Sequence, residues 1–114
     1  MNEEFARKIY ETIVEEGRDM YKNLYDNTKI KKNTVPYWKS ALSLYQDFDD
    51  EQKKVFLDVI KHIIIDTISS VFGVLDGSST LSGGNLEFEV IINGISTSNE
   101  LQDTFLEIVE EKNS

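Results

Sequence analysis

The sequence predicts an α+β fold, mainly helical, with four helices and a small antiparallel β-hairpin or sheet inserted before the last helix. Three observations predict it. Apolar residues recur at helical spacing through most of residues 3–75, residues 86–92 alternate instead in period two, and a tight-turn pair at Asn93-Gly94 precedes a second helical signature. With 114 residues the chain suits a single compact domain, 1–114, and is too short for two. No internal repeat, low-complexity tract or linker interrupts it.

The first helix is expected over residues 3–25. Phe5, Ala6, Ile9, Tyr10, Ile13, Gly17, Met20, Tyr21 and Leu24 recur on one face. Gly17 costs such a helix up to about 1 kcal/mol relative to Ala, so it marks a bend or a close contact. Residues 26–35, DNTKIKKNTV, form a polar connection. Pro36 suits a first helical turn, with Thr34 as the N-cap. The second helix then runs to about Gln46, with Trp38, Ala41, Leu42 and Tyr45 inward.

The third helix spans about 50–75. Asp49 and Gln52 have capping-box spacing, and Gly77 suits a left-handed position after the last turn. On a helical wheel Phe56, Val59, Ile60, Ile63, Ile64, Ile68, Val71 and Leu75 fill about half the circumference, which makes this the central core helix. Val55, Ile65 and Phe72 intrude on the opposite, polar stripe. Something apolar should cover them, either another helix of the same chain or a second subunit.

Residues 76–85 break the helix. Leu81 is expected to begin a short strand, with Ser82 to Asn85 as a turn. Leu86, Phe88, Val90 and Ile92 then form the inner face of a half-buried strand, with Glu87 and Glu89 outside. Asn93-Gly94 turns the chain into a return strand at Ile95-Ser96. Thr97 and Glu100 form a capping box for a last helix to about Lys112, with Leu101, Phe105, Ile108 and Val109 inward. A lone hairpin is marginal in water, so this one must lie on the helices or pair with another chain. Glu110 and Glu111 oppose the dipole at the helix end and predict fraying there.

Composition limits the chemistry. The chain has no cysteine, which removes disulfides, thiolate nucleophiles, zinc fingers and iron–sulfur clusters. No apolar run reaches the roughly 18 residues of a membrane span, and the acidic start MNEEFARKIYE lacks the features of a signal peptide. A cytoplasmic protein with no membrane contact is expected. The net charge of −9 opposes binding to nucleic acid, whose phosphates would be repelled. The charge is uneven. Residues 27–46 hold Lys29, Lys31, Lys32 and Lys39 and no acid, whereas residues 77–114 hold seven acids and only Lys112. The basic island is a solvated loop or, with Tyr37 beside it, a docking patch.

Asp58, His62 and Asp66 stand at i, i+4 and i+8 around the only histidine. A carboxylate one turn from an imidazole could share a metal or a proton. The outer two are about 12 Å apart by helical rise, so at most two act together and further ligands must come from elsewhere. A solvated stripe is the preferred reading, with His62 protonated more readily beside the acids. The 76–85 loop contains Asp76, several Ser and Thr and three glycines, but no P-loop lysine. No Gly-x-Ser-x-Gly nucleophile elbow is present. No cofactor is expected.

In size, charge and sparse chemistry the chain is similar to the small acidic proteins that bacteria encode beside toxins, including immunity proteins. No residue role follows from that resemblance. The leading expectation is a small acidic, non-enzymatic protein-binding domain, of inhibitor or immunity type, docking on a basic partner. One alternative is a homodimer, with strand 86–92 or the Ile65/Phe72 stripe at its contact. The other is a ligand- or metal-binding enzyme using the 76–85 loop with Asp58, His62 and Asp66. The interface candidates are Ile65, Phe72, Lys29, Lys31, Lys32 and Tyr37.

Overall fold

A computed structural model describes residues 1–84 and 86–114. The chain begins with one unbroken rod made of α1 (Asn2–Ile9), a π-helical segment (Tyr10–Glu15) and α2 (Glu16–Asn27). α3 (Pro36–Gln46) and α4 (Asp50–Asp76) follow, then a two-stranded antiparallel sheet of β1 (Ile91–Ile92) and β2 (Ile95–Ser96), and finally α5 (Leu101–Asn113). The fold is thus mainly helical, with four helices and a small hairpin before the last, as the sequence pattern implies. Among the described residues no helix is long and apolar enough to cross a membrane.

The π segment explains a misplacement on the first helix. A π turn closes from i to i+5 and so holds more residues than an α turn. It delivers Ala6, Tyr10 and Val14 to the core and turns Ile13 outward, to 44% exposure. Gly17 faces α4, where an added Cβ would meet Ile64 Cδ1 at an ordinary contact distance of 3.6 Å.

The core has two parts. Ala6, Tyr10 and Val14 meet Ile65 and Phe72 of α4 and Leu101, Phe105 and Ile108 of α5. Edge-on packing of Phe72 against Phe105, centroids 5.6 Å apart, locks α4 to α5. The second part gathers Tyr25, Leu42 and Tyr45, with Trp38, Phe48, Phe56 and Ile60 around them. α4 runs through both and ties them together. The rod and α5 are also clamped at their free ends. Arg7 donates to Glu111 at 3.0 Å, and Asn113 Nδ2 donates to the Tyr10 hydroxyl at 3.2 Å. These contacts carry α5 to Asn113 and override the fraying expected from Glu110 and Glu111.

The α4 signals are met. The Gln52 amide donates to Asp49 Oδ1 at 2.8 Å and the Asp49 amide to Gln52 Oε1 at 2.9 Å, and Gly77 takes φ +84° after the last turn. Thr34 does not cap α3. Its hydroxyl accepts from the Lys31 amide at 2.8 Å, so it shapes the connection, and Val35 holds the cap position without a side-chain bond.

The strand expected over 86–92 shrinks to Ile91–Ile92. Ile92 pairs with Ile95 and Ile91 with Ser96, but Leu86 and Phe88 have no ladder partner and stay 70% and 39% exposed. Among the described residues no neighbouring strand extends far enough to receive the backbone bonds that a longer strand requires. Leu81 begins no strand either. Its carbonyl accepts from the Gly84 amide at 3.0 Å, which sets the turn at 81–84, and Asn85, the last residue of the expected turn, lies outside the described residues.

The capping box at Thr97 and Glu100 does not form, because α5 starts three residues too late for it, at Leu101. Thr97 is buried, its amide donating to Val90 O and its carbonyl accepting from Asn2 Nδ2 at 2.8 Å. Positive φ at Ser98 and Asn99 then swings the chain to place Glu100 at the cap position with no side-chain bond. The cap comes from the end of α4 instead. The Leu101 amide donates to Asp76 Oδ1 at 3.1 Å and the Gln102 amide to Asp76 Oδ2 at 2.7 Å. A carboxylate facing two free amides at a helix N-terminus is the favourable arrangement for both hydrogen bonding and the helix dipole. Asp76→Ala is therefore expected to lower stability by about 1–2 kcal/mol in urea unfolding, and Asp76→Asn by clearly less. Equal losses for the two would show that the carboxamide cannot stand in for the cap.

Candidate interaction surfaces

Ile65 and Phe72 are covered by this chain. They are 5% and 7% exposed, packed against the rod and α5, and so are unavailable to a second subunit. Of the three apolar intruders on α4, Ile65 and Phe72 receive the intramolecular covering, whereas Val55 stays 54% exposed. The consequence lies on the other side of the helix. The buried face of α4 centres on Leu57, Ile65 and Phe72, about a quarter turn from the arc that the wheel selects. Val59, Ile63 and Val71, expected inside, are half exposed at 50%, 58% and 50%. Thr67 and Ser70 complete this arc, which holds no charged side chain between Val59 and Val74. His62 and Asp66, both exposed, form its polar border. Across the contact at Gly17 and Ile64 the rod adds Ile13 and Met20, which are likewise exposed. Together they make a long, mainly apolar surface, with the carboxylate of Glu16 between Ile13 and Met20 on the rod.

A second surface lies on α5. Asp103, Glu107 and Glu110 fall at i, i+4 and i+7 and are all exposed, with Leu106 at their edge. Among the described residues these three and Glu100 make no ion pair. Their buried counterparts Leu101, Phe105 and Ile108 anchor the opposite side of the helix, so the stripe is held rigidly outward.

A third surface is the basic island. Lys29, Lys31 and Lys32 are exposed on the connection before α3, and Lys39 Nζ donates to the Lys32 carbonyl at 3.1 Å. Tyr37 is 69% exposed and stands edge-on to Trp38, centroids 5.3 Å apart. The base of α3 is tied to α2 by Tyr45, whose hydroxyl donates to Asp26 while Lys22 Nζ donates to the same carboxylate at 2.7 Å. Burial, then the Asp26 bond, pushes the Tyr45 hydroxyl up to about 12. The Lys22 bond, then that of Tyr45, holds the Asp26 carboxyl below its ordinary range.

The remaining candidates are not gathered into one site. Asp58 turns toward Arg18 at 3.8 Å, and His62 and Asp66 face solvent. Among the described residues no group of three potential ligands stands together, so no other element supplies what the row Asp58, His62 and Asp66 lacks. His62 and Asp76 are about 21 Å apart along α4, which separates the row from the 76–85 loop. Asp76 is itself occupied as the cap of α5. Glu87 and Glu89 are exposed, in a segment without strand pairing.

No family model, no curated protein and no solved structure matches the chain. Its own surfaces are therefore the ground for a functional reading.

Proposed function

We propose that this chain is a small non-enzymatic protein-binding domain of the inhibitor or immunity type, docking on a basic partner through the outer face of α5. The observation that carries this reading is the stripe Asp103, Glu107 and Glu110. These carboxylates are aligned, exposed and, among the described residues, without ion pairs, on a helix whose inner face is anchored by Leu101, Phe105 and Ile108. A rigid row of like charges attracts an oppositely charged surface at long range and orients it on approach. The exposed Leu106 offers an apolar contact within that row. With a chain charge of −9, the wider surface adds to the same field.

The test is capture of basic proteins from the source cell on the immobilised chain, compared with a triple variant Asp103→Lys, Glu107→Lys, Glu110→Lys. A specific partner is expected to bind the wild type, to elute as salt rises, and to be lost from the variant. A partner held equally by the variant, or one that resists high salt, would rule the α5 stripe out as the docking face.

A further inference from the structure

We infer that the mainly apolar face formed by α4 and the rod is closed by a second copy of this chain, in a two-fold symmetric homodimer. This is separate from the acidic docking face on α5 and does not depend on it. The apolar residues of α4 extend beyond the side that packs on the rest of the chain, and apolar surface of that kind is ordinarily buried. The other three helices supply cover for only one side of it. The other side, with Val59, Ile63 and Val71, meets solvent together with Ile13 and Met20.

The surface area makes the same point in numbers. The chain exposes 7972 Å². A compact monomer of its mass exposes roughly 6,400 Å². The excess is roughly 1,600 Å², about twice what one partner contributes to an interface of standard size. The radius of gyration is 17.6 Å, against roughly 13 Å for a compact domain of this length. The molecule is a slab of 49 × 36 × 22 Å. This is the look of a homodimer subunit with a large apolar interface.

Charge selects a second copy over a foreign partner. A chain of net charge −9 is repelled by its own copy least where it carries the fewest charges, and the α4 arc from Val59 to Val74 holds none, with Asp66 and the rod's Glu16 at its edges. An isologous contact requires a patch complementary to itself. A row of aliphatic side chains along a straight helix satisfies this when two copies of α4 cross about an axis near Thr67. Such a contact responds to salt in the opposite way from the α5 stripe. Salt screens the repulsion between the acidic bodies and leaves the apolar contact intact, so the dimer should tighten as ionic strength rises.

The experiment is sedimentation equilibrium of the full chain between about 0.01 M and about 1 M salt. The wild type is expected at twice 13.1 kDa, with association strengthened by salt. Ile63→Asp and, separately, Val71→Arg should sediment as monomers at least tenfold above the wild-type dissociation constant, with helical circular dichroism retained, because both positions are exposed. The chain has no cysteine, so Thr67→Cys gives a single spin-label site. Labels on two copies are expected within about 25 Å, two helix diameters. A wild-type monomer throughout overturns the inference. So does a dimer that survives both substitutions, or one whose labels lie farther apart. None of these outcomes bears on the α5 stripe, and loss of basic partners from the α5 triple variant would leave the dimer untouched.

Discussion

Ile65→Asp is expected to abolish cooperative folding, whereas Ile63→Asp, two residues earlier on the same helix, retains it. Ile65 is 5% exposed among Tyr10, Phe72 and Phe105, while Ile63 is 58% exposed. Losing a buried isoleucine costs about 2–5 kcal/mol through lost transfer energy and the space left behind. A carboxylate in that space adds several kcal/mol more, or takes up a proton to avoid it. The sum, on the order of 5 kcal/mol or more, equals the whole stability of many domains of this size. Urea unfolding followed by circular dichroism should show a sigmoidal transition for Ile63→Asp and a shallow, early loss for Ile65→Asp. Similar transitions for the two would mean that the inward face of α4 is not the one described.

That pair also shows where the sequence was legible and where it was not. Helix positions follow from period, caps and breakers that act within a few residues, such as the reciprocal Asp49–Gln52 bonds and the left-handed Gly77. These depend on local chemistry and are readable locally. The inward direction of α4 is different in kind. When a broad apolar arc is joined by apolar residues on the opposite stripe, the wheel has no sharp pole, and the side that faces inward is set by where the rod and α5 lie. The densest aliphatic arc, Val59, Ile60, Ile63 and Ile64, reads as the core, yet Tyr10 and Phe105 select Ile65 and Phe72.

The rod failed to match its wheel for a related reason. A fixed 3.6-residue period cannot anticipate the π segment at Tyr10–Glu15, which exchanges Ile13 for Val14 in the core. The cap of α5 was beyond local pattern altogether, because Asp76 lies 25 residues before the amide it accepts from. At the surface, the acids of residues 77–114 were visible as a charge excess. Only the fold shows which of them share a stripe and which, like Glu111 on Arg7, are already paired. The apolar face was named residue by residue in the sequence but assigned to the interior. The same hydrophobicity that marks a core helix marks an interface helix, and a single chain does not separate the two until its own cover has been counted.

The tie between α2 and α3 gives the strongest pH dependence expected of this protein. Tyr45 is 2% exposed and its hydroxyl donates to Asp26. Ionising it would place a phenolate in an apolar setting beside a carboxylate, which is why burial and then that bond raise it from 10.0 to about 12. A group raised in the folded state stabilises fully below its unfolded value and loses that contribution as pH climbs through its folded one. Stability should therefore fall between about pH 10 and pH 12, by on the order of 2 kcal/mol from this residue. Tyr25, raised chiefly by burial, contributes in the same direction. Asp26 acts at the other end. Its carboxyl is held below the ordinary 3.8 by Lys22 and then Tyr45, so its contribution is complete above that value and disappears as pH falls through the lower folded one. Tyr45→Phe removes the hydroxyl and keeps the ring that packs on Tyr25 and Phe56. At neutral pH it should cost about 1 kcal/mol for the lost hydrogen bond. The informative comparison is at high pH. Between about pH 10 and pH 12 the variant should lose clearly less stability than the wild type, so that the two curves converge or cross. Parallel curves through that window would mean that Tyr45 is ionised as readily in the folded chain as in the unfolded one, and that α3 is held to α2 by packing alone.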